Sequence, residues 1–171
     1  MRRSALELWI AAGLMLAITA VYAAATAALS AIPGASSLFG HGLGILGFIL
    51  MLMTETLYSL RKRSRLARWG RPATWLRFHI VTGLVGPYMV LLHSSWKLNG
   101  LAAAALLMTV IVVLSGITGR YIYTRIPRSA SGEELTAGLS PAALANARRL
   151  LATWHTVHIP LGLVMLSLIH I

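Results

Sequence analysis

The chain has 171 residues, of which 57% are hydrophobic and 11% are charged, and its mean hydropathy is +0.75. This composition excludes an ordinary soluble globular domain and is typical of a membrane protein. The formal net charge of +11 comes from basic residues that lie mostly between apolar runs, so it indicates membrane topology rather than a nucleic-acid partner.

The first apolar run covers residues 5–32 and follows the basic head Met1–Arg3. The run is longer than the apolar region of a cleaved signal peptide. We therefore interpret it as the first membrane span, with a cleaved signal peptide as the alternative. Pro33 and Gly34 are expected to end it, because proline and glycine interrupt helices.

The second predicted span covers residues 38–60 and begins with the sequence FGHGLG. Its glycines would let a neighbouring helix or a flat ligand approach closely. We interpret His41, within this sequence, as an interfacial residue bonded to headgroups or water. A contact with a cofactor or a quinone is the alternative for this residue.

A basic segment, Arg61–Arg77, precedes the core of the third predicted span, 76–96, and holds seven basic residues and no acid. Such a charge run is typical of a solvated loop that faces anionic lipid. The third span carries His79 near one end and His93 near the other. Gly86-Pro87 lies in its middle and predicts a kink.

The fourth predicted span covers residues 101–123 and is followed by a long polar loop. We expect a short surface helix over residues 141–149 and a fifth span over 151–171. Because the sequence stops inside this last apparent helix, we expect the natural chain to continue. Residues 1–171 are thus predicted to form one all-α integral membrane bundle of about five transmembrane helices.

The basic residues are distributed unevenly between the two sides that five spans create. Fourteen of the 15 lie on one side, and only Lys97 lies on the other. The positive-inside rule places the basic loops in the cytoplasm and predicts a multi-pass protein of the cell membrane. The third and fifth spans then run in the same direction.

Histidines occur at two depths in both the third and the fifth span. His79 and His93 are 14 residues apart, which in an ideal helix is about 21 Å of rise and about 40° of rotation. His155 or His158 lies at the depth of His79, and His170 lies at the depth of His93. Haem iron with two axial imidazoles needs one from each side of the macrocycle. The pattern therefore predicts two haem b groups, one above the other.

Helix geometry leaves the inner ligand of the fifth span open. His155 and His170 are 15 residues apart, about 60° from alignment, whereas His158 and His170 are 12 apart and about 120° from it. Ideal geometry favours His155, but Pro160 lies between these positions and will distort the helix.

Each of these assignments has a plainer alternative. A lone histidine in a span is more often a packing residue bonded to a carbonyl, and only the two matched depths favour haem. Three arginines are candidate contacts for haem propionates, although contact with lipid headgroups is an equal alternative. These three are Arg77, Arg120 and Arg125.

His79 with His93, and the closing sequence WHTVHIPLGLVMLSLIHI, resemble the transmembrane di-haem cytochromes b of the ferric reductase-like and cytochrome b561-like type. Those proteins carry two histidines about four turns apart on each of two helices. The Trp154-x-x-x-His158 spacing is similar to the start of the second ligand helix in ferric reductase-like proteins, which implies His158 as the inner ligand. The resemblance covers about residues 75–171.

The resemblance implies four axial ligands of haem iron: His79, His93, His158 and His170. No cysteine is present, so a covalent C-x-x-C-H haem attachment and cysteine-ligated iron–sulfur clusters are excluded within the chain. No flavin or nicotinamide domain follows, so we expect an electron-transfer subunit rather than a complete enzyme.

The predicted function is a membrane-embedded b-type cytochrome that carries electrons across or within the bilayer as a subunit of a redox complex. Membrane lipid, other redox subunits, a cytochrome or iron–sulfur protein, and a quinone are the expected partners. A haem-free anchor subunit of a larger complex is the alternative. A transporter with a histidine proton relay is less favoured, because the spans hold only Glu7 and Glu55, which we expect near the membrane interfaces.

Overall fold

The computed structural model describes residues 5–63, 70–97, 99–126 and 140–170. These residues form five helices, each long and apolar enough to cross a membrane. The helices are α1 (Leu6–Leu29), α2 (Leu38–Arg63), α3 (Pro72–His93), α4 (Gly100–Arg125) and α5 (Pro141–His170). The prediction of an all-α, multi-pass membrane protein is confirmed. Most of the predicted basic and polar loops, and the side chains of Arg125 and His170, lie outside the described part.

The helix ends follow local chemistry, with one departure from expectation. α1 ends at Ser30, which adopts a left-handed conformation with φ of 50°. α3 begins at Pro72. N–H groups in the first turn of a helix have no intrahelical acceptor, so the lack of an N–H group in proline costs no hydrogen bond there. The surface helix predicted over residues 141–149 is instead continuous with the fifth span, because no proline or glycine separates the two.

Four of the helices form a closed ring. α2 packs along α3, and α4 packs along α5, whereas α2 with α5 and α3 with α4 meet over shorter stretches. The two diagonals stay apart: among the described residues, no Cα atom of α3 comes within 8 Å of one in α5. α1 lies outside the ring against α3.

The contacts also fix the directions of the helices. His79 of α3 bonds to Thr54 of α2, and His93 bonds to Gly40, so these two helices are antiparallel. α5 is likewise antiparallel to α2, so α3 and α5 run in the same direction, as the sequence predicts. We call the end at which α1, α3 and α5 begin the Glu7 end, and the opposite end the Gly40 end.

α2 and α3 approach each other backbone to backbone at a pair of glycines. A Cβ atom on Gly47 would lie 2.9 Å from the Gly86 carbonyl oxygen, and one on Gly86 would lie 3.0 Å from the Gly47 oxygen. Only glycine fits such an approach, which is a common device between membrane helices. The α2–α3 pair therefore forms the tightest unit of the ring.

An ion pair attaches α1 to the ring at the Glu7 end. Arg120 of α4 donates from Nε and Nη2 to Glu7 Oε1 at 3.0 and 2.7 Å. Glu7 is only 8% exposed. Farther along α1, Ala11 is fully buried in a cluster with residues of α2 and α3. α1 is therefore an integral part of the bundle.

Candidate functional site

His79 lies in the interface between α3 and α2. Its Nδ1 atom is 3.0 Å from the carbonyl oxygen of Thr54, and since a carbonyl only accepts, Nδ1 is the donor. Thr54 is itself held by a 2.7 Å hydroxyl contact with Thr82 of α3. The tautomer with its proton on Nδ1 carries the ring lone pair on Nε2. This is the form in which histidine binds metal ions when a backbone carbonyl orients it.

His158 lies in a socket that α4 forms against α5, and it is 8% exposed. Its Nδ1 atom is 3.1 Å from the Ser115 hydroxyl oxygen. The Trp154 indole stacks on the imidazole with ring centroids 4.6 Å apart, and its N–H donates to the Ser115 carbonyl at 2.7 Å. A Cβ atom on Gly119 would overlap the indole, so this position of α4 admits only glycine beneath Trp154.

His79 and His158 belong to one level of the bundle, toward the Glu7 end. They lie on α3 and α5, which are diagonal helices without a close backbone approach. Ligand and metal sites in helical bundles are built in this way, from side chains that face each other across the core. That His79 and His158 share one iron stays a prediction.

His155, the other candidate for the inner level, has a different environment. Its ring lies against Trp154 at a centroid distance of 4.7 Å and a tilt of 57°. The Ser115 hydroxyl bonds to His158. His155 is half-buried, whereas His158 is buried.

His93 marks the second level, at the Gly40 end. Its Nδ1 atom donates to the Gly40 carbonyl at 2.8 Å. The ring packs so tightly on α2 that a Cβ atom on Gly44 would lie 2.8 Å from its Cγ and Nδ1 atoms. His41 is exposed, with its ring centroid 6.5 Å from that of His93. α5 ends at His170 at this same end of the bundle, and its side chain lies outside the described part.

The three candidate arginines differ in their surroundings. Arg120 is paired with Glu7, and Arg77 is exposed near the Glu7 end. Among the described residues, no group of three or more histidine, aspartate, glutamate or cysteine side chains is placed to hold a metal ion. Axial ligation of haem iron makes a different demand, because it needs two facing side chains rather than a cluster.

Sequence reasoning missed the oxygen atoms that orient the histidines. The Nδ1 atom of His158 is hydrogen-bonded to the Ser115 hydroxyl. The Nδ1 atoms of His79 and His93 are hydrogen-bonded to the backbone carbonyls of Thr54 and Gly40, respectively. Ser115 stands out in the sequence as a polar residue within an apolar run, but backbone carbonyls leave no such signal.

Glu55 has a neighbour that the sequence does not reveal. Its carboxylate lies against α5, where a Cβ atom on Gly162 would be 2.5 Å from Oε1. Gly162 has no side chain, which leaves space for the Glu55 carboxylate between α2 and α5.

A scan of protein-family models and searches of curated proteins and of solved structures found no match to this chain. The likeness to di-haem cytochromes b therefore depends on the residues themselves.

Proposed function

We propose that the chain is a membrane-embedded b-type cytochrome, in which His79 and His158 are the axial ligands of one haem and His93 and His170 those of a second. One observation carries the proposal: two imidazoles at the same level lie on diagonal helices, and each has its Nδ1 atom bonded to an oxygen of a neighbouring helix. When bound, haem iron supplies one-electron redox chemistry.

The chain's own residues prepare the inner ligands. The Thr54 carbonyl holds the proton of His79 on Nδ1, so the lone pair of the ring is on Nε2. Trp154 and Ser115 limit rotation of the His158 ring by stacking and by a hydrogen bond. The apolar surroundings exclude water and favour neutral imidazole, which is the form that binds a metal ion.

The outer level has the same design on its α3 side. The Gly40 carbonyl holds the proton of His93 on Nδ1, and Gly44 leaves the space that the ring needs. α5 is parallel to α3 and reaches the same end of the bundle at His170. This backbone arrangement supports His170 as the partner of His93.

The proposed role is electron transfer across or within the cell membrane, with the Glu7 end in the cytoplasm. The distribution of basic residues supports this orientation, because the order of the spans assigns 14 of the 15 to the side of the Glu7 end. Two haem levels would carry electrons past an apolar barrier about 30 Å thick. Other redox subunits, a cytochrome or iron–sulfur protein, and a quinone are the proposed partners.

A reduced-minus-oxidised absorption spectrum of the purified protein, with haem quantified per chain, tests the proposal. We expect about two haem b per chain, both extractable by acidified acetone because no cysteine tethers them. His79→Leu should lose one of the two, and His41→Leu, the matched exposed histidine, should keep both. A colourless, folded preparation from haem-replete cells would contradict the proposal and favour the haem-free anchor subunit.

A further inference from the structure

A groove between α2 and α5 faces the lipid. Five residues line it, and its volume is about 330 Å³. They are Phe48, Leu52, Leu163, Leu166 and Ser167. Leu52 and Leu163 are 39% and 57% exposed, so the groove is open from the bilayer.

Glu55 lies next to the lining of this groove, three residues after Leu52 on α2. Phe48, Leu52 and Glu55 follow each other at the i, i+4 and i+7 positions that share one face of a helix. On α5, Gly162 and Leu166 share a face in the same way, and Gly162 touches the Glu55 carboxylate. The Glu55 carboxylate therefore lies beyond the lining residues on the side nearer the Glu7 end, and the apolar lining extends from there toward the middle of the bundle.

The Glu55 carboxylate has no hydrogen bond or ion pair within the described part of the chain. A carboxyl group at membrane depth without a partner is expensive, and such residues usually serve a function. The group that fits it is a hydrogen-bond donor at the end of an apolar molecule. A phospholipid phosphate diester offers hydrogen-bond acceptors and no donor, so it is disfavoured.

We propose that this groove binds an isoprenoid hydroquinone, with a ring hydroxyl donating to Glu55, the ring beside Leu52 and Phe48, and the tail along Leu166. The polar ring then lies toward the membrane surface and the tail toward the midplane, as an amphiphile in a bilayer requires. Gly162 follows His158 by four residues, one helical turn or about 6 Å along α5. The inference builds on the proposed function, since it places an electron-rich partner beside the inner histidine pair.

Binding is measured with decylubiquinol and the full-length protein in nanodiscs of phosphatidylcholine alone, as the amount of bound probe per chain against its free concentration. We expect one site per chain. Glu55→Gln should weaken binding at least tenfold, because one carboxyl oxygen is replaced by an amide NH₂ group that donates and cannot accept from the ring hydroxyl. Leu163→Trp should abolish binding by filling the groove. Both variants are first checked for the wild-type gel-filtration profile.

Val21→Trp is the matched control. Val21 lines a second apolar groove, between α1 and α2, which has no carboxylate among its lining residues. This variant should bind like wild type. Absence of binding in wild type, or equal losses in Val21→Trp and Leu163→Trp, would overturn the proposal. So would unchanged affinity in Glu55→Gln, or displacement of the probe by phosphatidylethanolamine, whose ammonium group would then be the partner of Glu55.

Haem content is measured on the same samples. Haem without hydroquinone binding would reject this inference and leave the proposed function standing. Hydroquinone binding without haem would reject the proposed function and leave this inference standing.

Discussion

The indole of Trp154 stacks on the imidazole of His158 with 21° between the ring planes, and its N–H bonds to the Ser115 carbonyl across the α4–α5 interface. The Trp154 side chain thus contacts the His158 ring on α5 and is itself anchored to α4 by its hydrogen bond. The direction of the His158 ring is set before any ligand arrives, which is the preorganisation that a metal site needs.

Replacement of the two competing histidines should identify the inner ligand. His158→Leu should lose one haem, because leucine removes the nitrogen and keeps an apolar side chain of similar size. His155→Leu should keep both haems, with at most a shifted potential, because His155 contacts Trp154 beside the socket. Haem quantification and redox titration measure both outcomes. Haem lost in His155→Leu and retained in His158→Leu would show that ideal helix geometry was the better guide.

Gly44→Ala should disturb the outer level selectively. The new methyl group would lie 2.8 Å from the His93 ring, so the ring would have to move from the Gly40 carbonyl. We expect loss of the outer haem, seen as one haem per chain with the inner signal retained. Gly42→Ala is the control, since a Cβ atom there meets nothing within 4 Å, and it should keep two. Two haems in Gly44→Ala would show that His93 is not an axial ligand in this position.

The Glu7–Arg120 ion pair should contribute measurably to stability. Either Glu7→Leu or Arg120→Leu leaves a charge unpaired in a site where Glu7 is 9% and Arg120 21% exposed at the side chain. Because Arg120 is partly exposed, we expect a loss of about 2 kcal/mol, or about 4–8 °C in thermal midpoint in detergent. The double variant should recover most of the loss, because it removes both charges. Equal midpoints for wild type and Glu7→Leu would show that the pair contributes nothing.

The orientation can be tested without background, because the chain has no cysteine. Asn99→Cys and Ser140→Cys place single thiols at exposed positions before α4 and before α5. A membrane-impermeant maleimide added to intact cells should label Asn99→Cys, and Ser140→Cys should be labelled only after lysis. The reverse pattern would place the arginine-rich loops outside and overturn the proposed orientation.

The sequence predicts the helices well, because hydropathy and the long apolar runs determine them. The second span was expected over residues 38–60, and α2 covers Leu38–Arg63. The third was expected over residues 76–96, and α3 covers Pro72–His93, because proline begins a helix readily and the chain turns at Ser95, where φ is 50°. α3 continues through Gly86 and Pro87, and the kink expected there stays a prediction.

Side-chain partners were harder to predict, because they depend on how the helices are rotated against one another. The depth of His79 follows from its position in the chain, but its bond to Thr54 depends on the rotation of α2. The contact of Glu55 with Gly162 has the same origin, since the sequence does not reveal that Glu55 faces α5. Whether His170 faces His93 stays a prediction.

The pairing of Glu7 with Arg120 also sets an order of events during synthesis, since 113 residues separate the two. At translation rates of about 5–20 residues per second, roughly 6 to 23 s pass between the synthesis of Glu7 and that of Arg120. Throughout this interval the first helix carries an uncompensated charge at its end. A chain arrested before its fourth helix keeps that charge unpaired, which gives cellular quality control a feature by which an unfinished chain differs from a finished one.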